Sequence, residues 1–191
     1  MRQRAVRPAT VTLAAVVLAA VALALPAAGS AAHADAAPGA WAEQVCAAVA
    51  GWSNAAGVKS AALEKKLNPT SLAQTRAVFS RFLDEIVRET DRMIVRVDIA
   101  GTPAVRSGPA IRQRLRVLLV RARGLLADAR RQAARLSLTD PADFAKTVSA
   151  LGDTIGKQFD GLGGAFDQID RAYPSAELDR AFSGAPSCKK L

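Results

Sequence analysis

The chain has 191 residues, half of them hydrophobic and 5% aromatic. It carries 26 Lys and Arg residues against 17 Asp and Glu residues, a formal net charge of +9, and a single histidine. One imidazole excludes sites that are built from several histidines. The positive charge suits an anionic partner, such as a cell-wall polymer or a nucleic acid, and carries no information about the fold.

The first 34 residues have the pattern of an export signal. Three arginines precede an unbroken apolar run, residues 11–25, and small residues follow that run. Two A-x-A motifs predict cleavage after Ala34 or after Ala36. The alternative is an uncleaved membrane anchor, but the run is shorter than the roughly 20 residues that a spanning helix needs. Cleavage of the segment is therefore favoured.

Cleavage after Ala34 would leave residues 35–191, the size of one domain. Removing the three N-terminal arginines from the 26 basic residues leaves 23 against 17 acidic ones, a net charge of +6. No later apolar run is long enough to span a membrane. Cys46 lies too far behind the first apolar run to serve as a lipoprotein cysteine. The sequence predicts a secreted, extracellular protein that is soluble or loosely associated with the cell wall.

Five segments of the mature chain are predicted to be helices. Turn signals that combine a breaker with a helix N-cap candidate separate them, and apolar residues recur within them at spacings of three and four. The predicted helices are 40–66, 71–99, 109–137, 142–172 and 175–183. Four long helices of similar length, joined by short or moderate loops, predict an all-α antiparallel four-helix bundle. The short fifth helix is expected to fold over one end.

The two cysteines are expected to form one disulfide. Cys46 lies about 140° around the first helix from Trp41, away from the apolar stripe, so its partner must cross an outer flank of that helix. Cys188, near the C terminus, is the only other cysteine. An exported chain with two cysteines is most simply closed by a bond between them. Pairing between two molecules is the alternative.

Three stretches carry a resemblance to a group of known proteins. They are "WAEQVCAAVAGW" in the first helix, the central "AGTPAV" turn and the closing "ELDRAFSGAPSCKKL". With these stretches the chain resembles small secreted proteins of actinobacteria, of unknown function, and their lipoprotein relatives. The resemblance implies export, an all-α fold and closure by a disulfide. It assigns no functional residue.

The third predicted helix is rich in arginine, with nine between residues 106 and 135 and one acid, Asp128. Four of these lie along one flank of its apolar stripe: Arg112, Arg116, Arg123 and Arg130. The second helix has three aspartates at seven-residue spacing on one flank, which favours pairing between antiparallel helices. The predicted pairs are Asp98 with Arg112, Asp91 with Arg116, and Asp84 with Arg123. The alternative is an anion-binding face, for which the candidates are Arg114, Arg121, Arg131 and Arg135.

The sequence does not indicate an enzyme, a metal site or a cofactor. The only histidine, His33, lies in the predicted signal region, and a disulfide would leave no free thiol to act as a nucleophile. The predicted function is a secreted binding or envelope-associated module, whose partner would be a cell-wall polymer or another envelope protein. The second hypothesis is an anion-binding protein that uses the arginine-rich helix. The third is an enzyme with an unrecognised site, such as a secreted helical mutase.

Overall fold

The computed structural model describes residues 35–66 and 71–191, and only the backbone of residues 158–163, 165 and 166. The predicted export signal, residues 1–34, lies outside the described residues. So do residues 67–70, between the first two predicted helices.

Helices dominate the described part of the chain, and each of the five predicted helices is present. They are α1 (Pro38–Glu64), α2 (Leu72–Ile99), α3 (Gly108–Ala133), α4 (Pro141–Ala172) and α5 (Ala176–Gly184), followed by a 3₁₀ turn, Cys188–Lys190. The largest difference from the predicted bounds is at the end of α3, which stops four residues before the predicted residue 137.

Side-chain caps explain why the helix starts were predictable. Ser71 accepts a hydrogen bond from the backbone N–H of Gln74 before α2, and Ser175 accepts one from the N–H of Leu178 in α5. Asp140 accepts from the first free N–H groups of α4. These oxygens satisfy N–H groups that have no partner within the helix. The short polar residues in the turn signals therefore set the boundaries.

Two short strands were not predicted. β1 (Asp35–Ala36) and β2 (Thr102–Pro103) pair in parallel, and the carbonyl oxygen of Ala36 also accepts a 2.8 Å hydrogen bond from the N–H of Ala104. Two-residue segments are too short to show the alternation of polar and apolar residues by which strands are recognised in a sequence. The pairing holds the start of the described chain against the α2–α3 loop.

In chain order, α1 packs against α2, α2 against α3 and α3 against α4, and α5 and the 3₁₀ turn pack against α1. Between α1 and α2, the Trp52 indole N–H donates to the Thr90 hydroxyl at 3.0 Å, and Lys59 donates to Glu85 at 3.1 Å. Residue numbers rise along α1 as they fall along α2, so these two helices are antiparallel. The ion pairs described below give the same sense for α2 and α3.

The buried apolar side chains form two main clusters at opposite ends of α3. The first cluster includes Trp41, Val45, Met93, Val97, Ile111, Leu115 and Leu178. The second includes Leu83, Ala129, Ala133, Leu136, Phe144 and Leu151. A smaller cluster of Ile86, Val87 and Leu126 is contacted by Trp52, which also packs against the first cluster, and by Phe82 and Ile155, which also pack against the second. Many of these buried side chains, such as Trp41, Val45, Ile111 and Leu115, recur at the three- and four-residue spacings of the predicted helices.

The loop between α2 and α3 is buried and tightly packed. Gly101 has φ of 76°, a left-handed conformation that favours glycine. The indole N–H of Trp41, which is 2% exposed, donates to the carbonyl oxygen of Gly101 at 3.1 Å. A Cβ atom on Gly108 would lie 2.0 Å from the carbonyl oxygen of Pro103, so only glycine fits there. The hydrogen bond from Trp41 therefore holds this loop against the start of α1.

Candidate functional site

The predicted disulfide is present within one chain. Cys46 of α1 is bonded to Cys188 of the 3₁₀ turn, with 4.9 Å between their Cα atoms and a sequence separation of 142 residues. Cys46 points off the stripe of α1, as expected, yet it is only 4% exposed, because α5 and the 3₁₀ turn cover this flank of the helix. The C-terminal segment therefore adds a layer to the core.

A carboxylate clasp lies beside the disulfide. Glu43 of α1 accepts hydrogen bonds from both the backbone N–H and the hydroxyl of Ser187. These bonds, led by the one from the hydroxyl, lower the pKa of Glu43 below its ordinary value, and the positive charge of Lys190 lowers it further. Bonds to a carboxylate favour its charged form. We use the name tied end for three contacts together: the Glu43–Ser187 hydrogen bonds, the Cys46–Cys188 disulfide and the Trp41–Gly101 hydrogen bond.

A cavity of about 690 Å³ lies at the tied end, between α1, α3, the end of α4, α5 and the 3₁₀ turn. Most of its wall is apolar, and the disulfide forms part of it. The apolar lining consists of Trp41, Val45, Val49, Ile111, Leu115, Ile169, Leu178, Phe182 and Leu191. The lining that carries polar atoms consists of Asp167, Asp170, Tyr173, Ser175, Asp179 and Ser183. This volume lies in the range of small-molecule binding sites, about 300 to 1,000 Å³.

Two aromatic rings of the cavity lining contact each other. The rings of Trp41 and Phe182 meet edge to face, with 5.8 Å between their centroids and an interplanar angle of 75°. The Trp41 indole is held by its hydrogen bond to Gly101. The third aromatic residue of the lining, Tyr173, is partly buried against the same apolar cluster. These contacts therefore hold the two rings in place.

Sequence reasoning did not find this cavity. Leu178 and Phe182 were expected to fold over the end of the bundle, and they do pack against the first apolar cluster. What the sequence could not show is that α4 and α5 leave a space between themselves and α1. The only available signal was the apolar face of α5, which predicts a contact with another surface but does not predict how closely that surface is approached.

The outer face of α2 and α3 carries three ion pairs, here called the Asp–Arg ladder. Asp98 pairs with Arg116 at 3.2 Å, Asp91 with Arg123 at 2.9 Å, and Asp84 with Arg130 at 2.8 Å. Each step of seven residues toward the start of α2 matches a step of seven toward the end of α3, so the two helices are antiparallel. Asp91 raises the pKa of Arg123, chiefly through their hydrogen bond.

The predicted pairing partners were wrong, although all three predicted aspartates pair with arginines of the predicted ribbon. The aspartates pair with arginines lying further along α3 than predicted, by seven residues for Asp91 and Asp84 and four for Asp98. The prediction placed the two helices symmetrically about their loop. Instead, α3 extends past the end of α2 by about two turns. The buried loop residues Gly101, Thr102 and Pro103 occupy the space beyond α2.

Arg112 is the member of the predicted ribbon that the shift leaves outside the ladder. It takes no part in the three ion pairs, and its Nε atom is buried without a hydrogen-bond partner among the described residues. A buried N–H that lacks a partner costs free energy. The pairing of Arg112 with Asp98 was therefore an incorrect prediction.

The four candidate anion-binding arginines all lie on the exposed surface of α3 and just beyond it. Arg131 pairs with Asp128, one turn earlier in the same helix. In the part of the chain that the structure describes, Arg114, Arg121 and Arg135 form no ion pair. Three of the four candidates therefore have charges that no described acid neutralises.

Across residues 35–66 and 71–191, no group of three or more His, Cys, Asp or Glu side chains is arranged to hold a metal ion. None of the helices described for this chain is both long enough and apolar enough to cross a membrane.

No protein-family model matches the chain, and neither does any curated protein or solved structure with which it was compared. Its function must therefore be inferred from the cavity and from the distribution of charge.

Proposed function

We propose that this protein is an exported binding protein and that its cavity at the tied end takes up a small, largely apolar molecule. The observation that carries the proposal is the cavity of about 690 Å³ with its apolar wall. An apolar cavity with a few polar groups at its edge is the usual form of a ligand site. Core contacts hold the lining rings of Trp41 and Phe182 in place, so these side chains would lose little conformational freedom on binding.

The frame for this site is an antiparallel four-helix bundle. The antiparallel contacts of α1 with α2 and of α2 with α3 support it. So do Ile169 and Tyr173, near the end of α4, which pack against the same cluster as Trp41 of α1. With α4 returning to the start of α1, α5 can cover the opening and the disulfide can close it. The module would then act in the cell envelope or outside the cell, as the resemblance to secreted actinobacterial proteins implies.

The binding test uses the neutral fluorescent probe N-phenyl-1-naphthylamine. We expect a saturable rise in its fluorescence with one site per chain. Ser183, exposed on α5, lines the cavity, so Ser183→Trp should block the opening and weaken binding. Ala176→Trp, on the exposed surface of the same helix and outside the lining, is the matched control and should bind as the parent does. Absence of saturable binding to the parent chain would overturn the proposal.

Export is tested by the N terminus of the mature chain. We expect mass spectrometry of culture supernatant to give Asp35 as the first residue. Cleavage after Ala36, the second site, would remove β1 and with it the carbonyl oxygen that accepts from Ala104, so cleavage after Ala34 preserves the pairing of β1 with β2. A chain that retains Met1 in the membrane fraction would contradict export.

Anion binding by α3 is a second candidate, favoured by the exposed charges of Arg114, Arg121 and Arg135. We expect any binding to heparin to be weak and to fade as salt rises, because exposed charges are screened beyond about 8 Å at physiological ionic strength. Substituting Arg114, Arg121 and Arg135 by Gln should reduce retention more than substituting the three ladder arginines. Tight, salt-resistant retention that only the ladder variants abolish would contradict this assignment.

A further inference from the structure

The charges at the cavity all have one sign. Asp167 and Asp170 of α4 and Asp179 of α5 belong to its lining, and none of the described lining residues is Lys or Arg. The chain as a whole has an excess of positive charge. The charged side chains that line this apolar site are therefore negative, whereas the chain as a whole is positive. The electrostatic potential of these carboxylates favours a cation as ligand.

The three carboxylates are placed around the edge of the cavity. Asp167 and Asp170 are three residues apart, so they lie on the same side of α4, while Asp179 approaches from α5. All three are exposed to solvent. None forms an ion pair with a residue that the structure describes. Their charges are available to a ligand that enters the cavity.

The arrangement fits an organic cation better than a metal ion. The described residues contain no cluster of acids able to hold a metal, which means that the three carboxylates do not converge on one point. The rings of Trp41, Tyr173 and Phe182 line the same cavity. Aromatic faces attract ammonium groups, most strongly when these are desolvated. Carboxylates that lie apart from one another, together with aromatic rings, suit an organic cation whose positive charge is delocalised or carried by a bulky, alkylated group.

We propose that the cavity selects amphiphilic organic cations, in which an apolar body fills the space between α1, α4 and α5 and an ammonium group lies at the edge near Asp167, Asp170 and Asp179. This selectivity rests on the proposed binding function and specifies its ligand class. The apolar body supplies affinity by leaving water. The carboxylates distinguish a cation from a neutral or anionic molecule with the same body.

The test compares three probes with the same ten-carbon tail: decyltrimethylammonium, decanol and decanoate. Isothermal titration calorimetry is performed with the full mature chain, below the concentrations at which the probes form micelles. We expect the ammonium probe to bind more tightly than decanol, and decanoate to bind most weakly. Added salt should weaken binding of the ammonium probe and leave decanol binding nearly unchanged.

The carboxylates are tested by substitution. Each of Asp167→Asn, Asp170→Asn and Asp179→Asn should weaken binding of the ammonium probe by up to about fivefold, the range for an exposed charge pair, and should not change decanol binding. Asp153→Asn is the matched control, since Asp153 is exposed on α4 and does not line the cavity. Circular dichroism of each variant verifies that it is folded.

The outcomes separate the two proposals. Equal affinity for the ammonium probe and decanol, or tighter binding of decanoate, would overturn the cation selectivity while leaving apolar binding intact. Loss of ammonium binding in Asp153→Asn to the same degree as in the lining variants would also overturn it, because a general effect of protein charge would then be responsible. Failure of all three probes to bind would overturn the binding function itself.

Discussion

The tied end and the Asp–Arg ladder both join elements that are distant in sequence, but they do so by different physics. At the tied end a covalent bond, a buried indole hydrogen bond and a hydrogen-bonded carboxylate hold the start of α1, the C-terminal segment and the α2–α3 loop together. In the ladder, ion pairs link side chains that are 28% to 54% exposed. Exposed pairs contribute little because water already solvates both charges. Stability should therefore depend on the tied end, and the ladder should mainly favour one register between α2 and α3.

The largest expected effect is loss of the disulfide. Cys46→Ala and Cys188→Ala should each lower the free energy of unfolding by a similar amount, with about 5 kcal/mol as the upper figure from the loop-entropy argument for a loop of this length. The double variant should lose almost nothing more, since both substitutions remove the same bond. Urea unfolding measures this. Additive losses would show that the two sulfurs contribute separately.

The next effect concerns the loop that the tied end holds. Gly108→Ala would force a Cβ atom against the carbonyl oxygen of Pro103 and should cost about 1 to 3 kcal/mol. Gly124→Ala is the control in the same helix, where the new Cβ would have no atom within 4 Å apart from its chain neighbours and the adjoining backbone of the helix. That substitution should stabilise by about 0.5 to 1 kcal/mol. Thermal unfolding of the two variants should therefore shift in opposite directions, and a stable Gly108→Ala would contradict the packing described for the loop.

The ladder should respond weakly. Replacing Arg116, Arg123 or Arg130 by Gln should each cost about 0.2 to 1 kcal/mol, less at high salt. Arg112→Gln tests the register, because Arg112 was the predicted partner of Asp98 but takes no part in the ladder. A double-mutant cycle should give a coupling energy for Asp98 with Arg116 and none for Asp98 with Arg112. The reverse result would restore the register predicted from the sequence.

The smallest effect should appear in the pH dependence of the tied end. The pKa of Glu43 is lowered below its ordinary value in the folded chain by its hydrogen bonds from Ser187, so the contribution of Glu43 to stability is fully present above the unfolded pKa and is lost as pH falls through the folded pKa. Glu43→Gln should therefore be less stable than the parent near neutral pH, with the difference shrinking in acid. Ser187→Ala removes the donor and should show the same trend. A difference that is constant with pH would mean that the clasp does not act through the charge of Glu43.

Local signals explain how much of this fold could be predicted. The helix starts follow from residues such as Ser71, Asp140 and Ser175, whose side chains cap the backbone directly beside them. Apolar spacing predicted many of the side chains that enter the core. Because the chain has only two cysteines, the sequence left two possibilities, a bond between Cys46 and Cys188 or pairing between two molecules, and the structure shows the bond within one chain.

The remaining features depend on distances between elements, which local patterns do not encode. The Asp–Arg register was wrong because the buried loop at Gly101–Pro103 moves α3 along α2, and a buried loop has the same sequence signals as an exposed one. Likewise, the cavity exists because α4 and α5 approach α1 without filling the space between them. The sequence by itself determined the helices and much of their buried faces, since both follow from neighbouring residues, and it reduced the disulfide to two alternatives. Only the tertiary structure decided the ladder partners and the acidic edge of the cavity, because both depend on how far one packed helix lies along and from another.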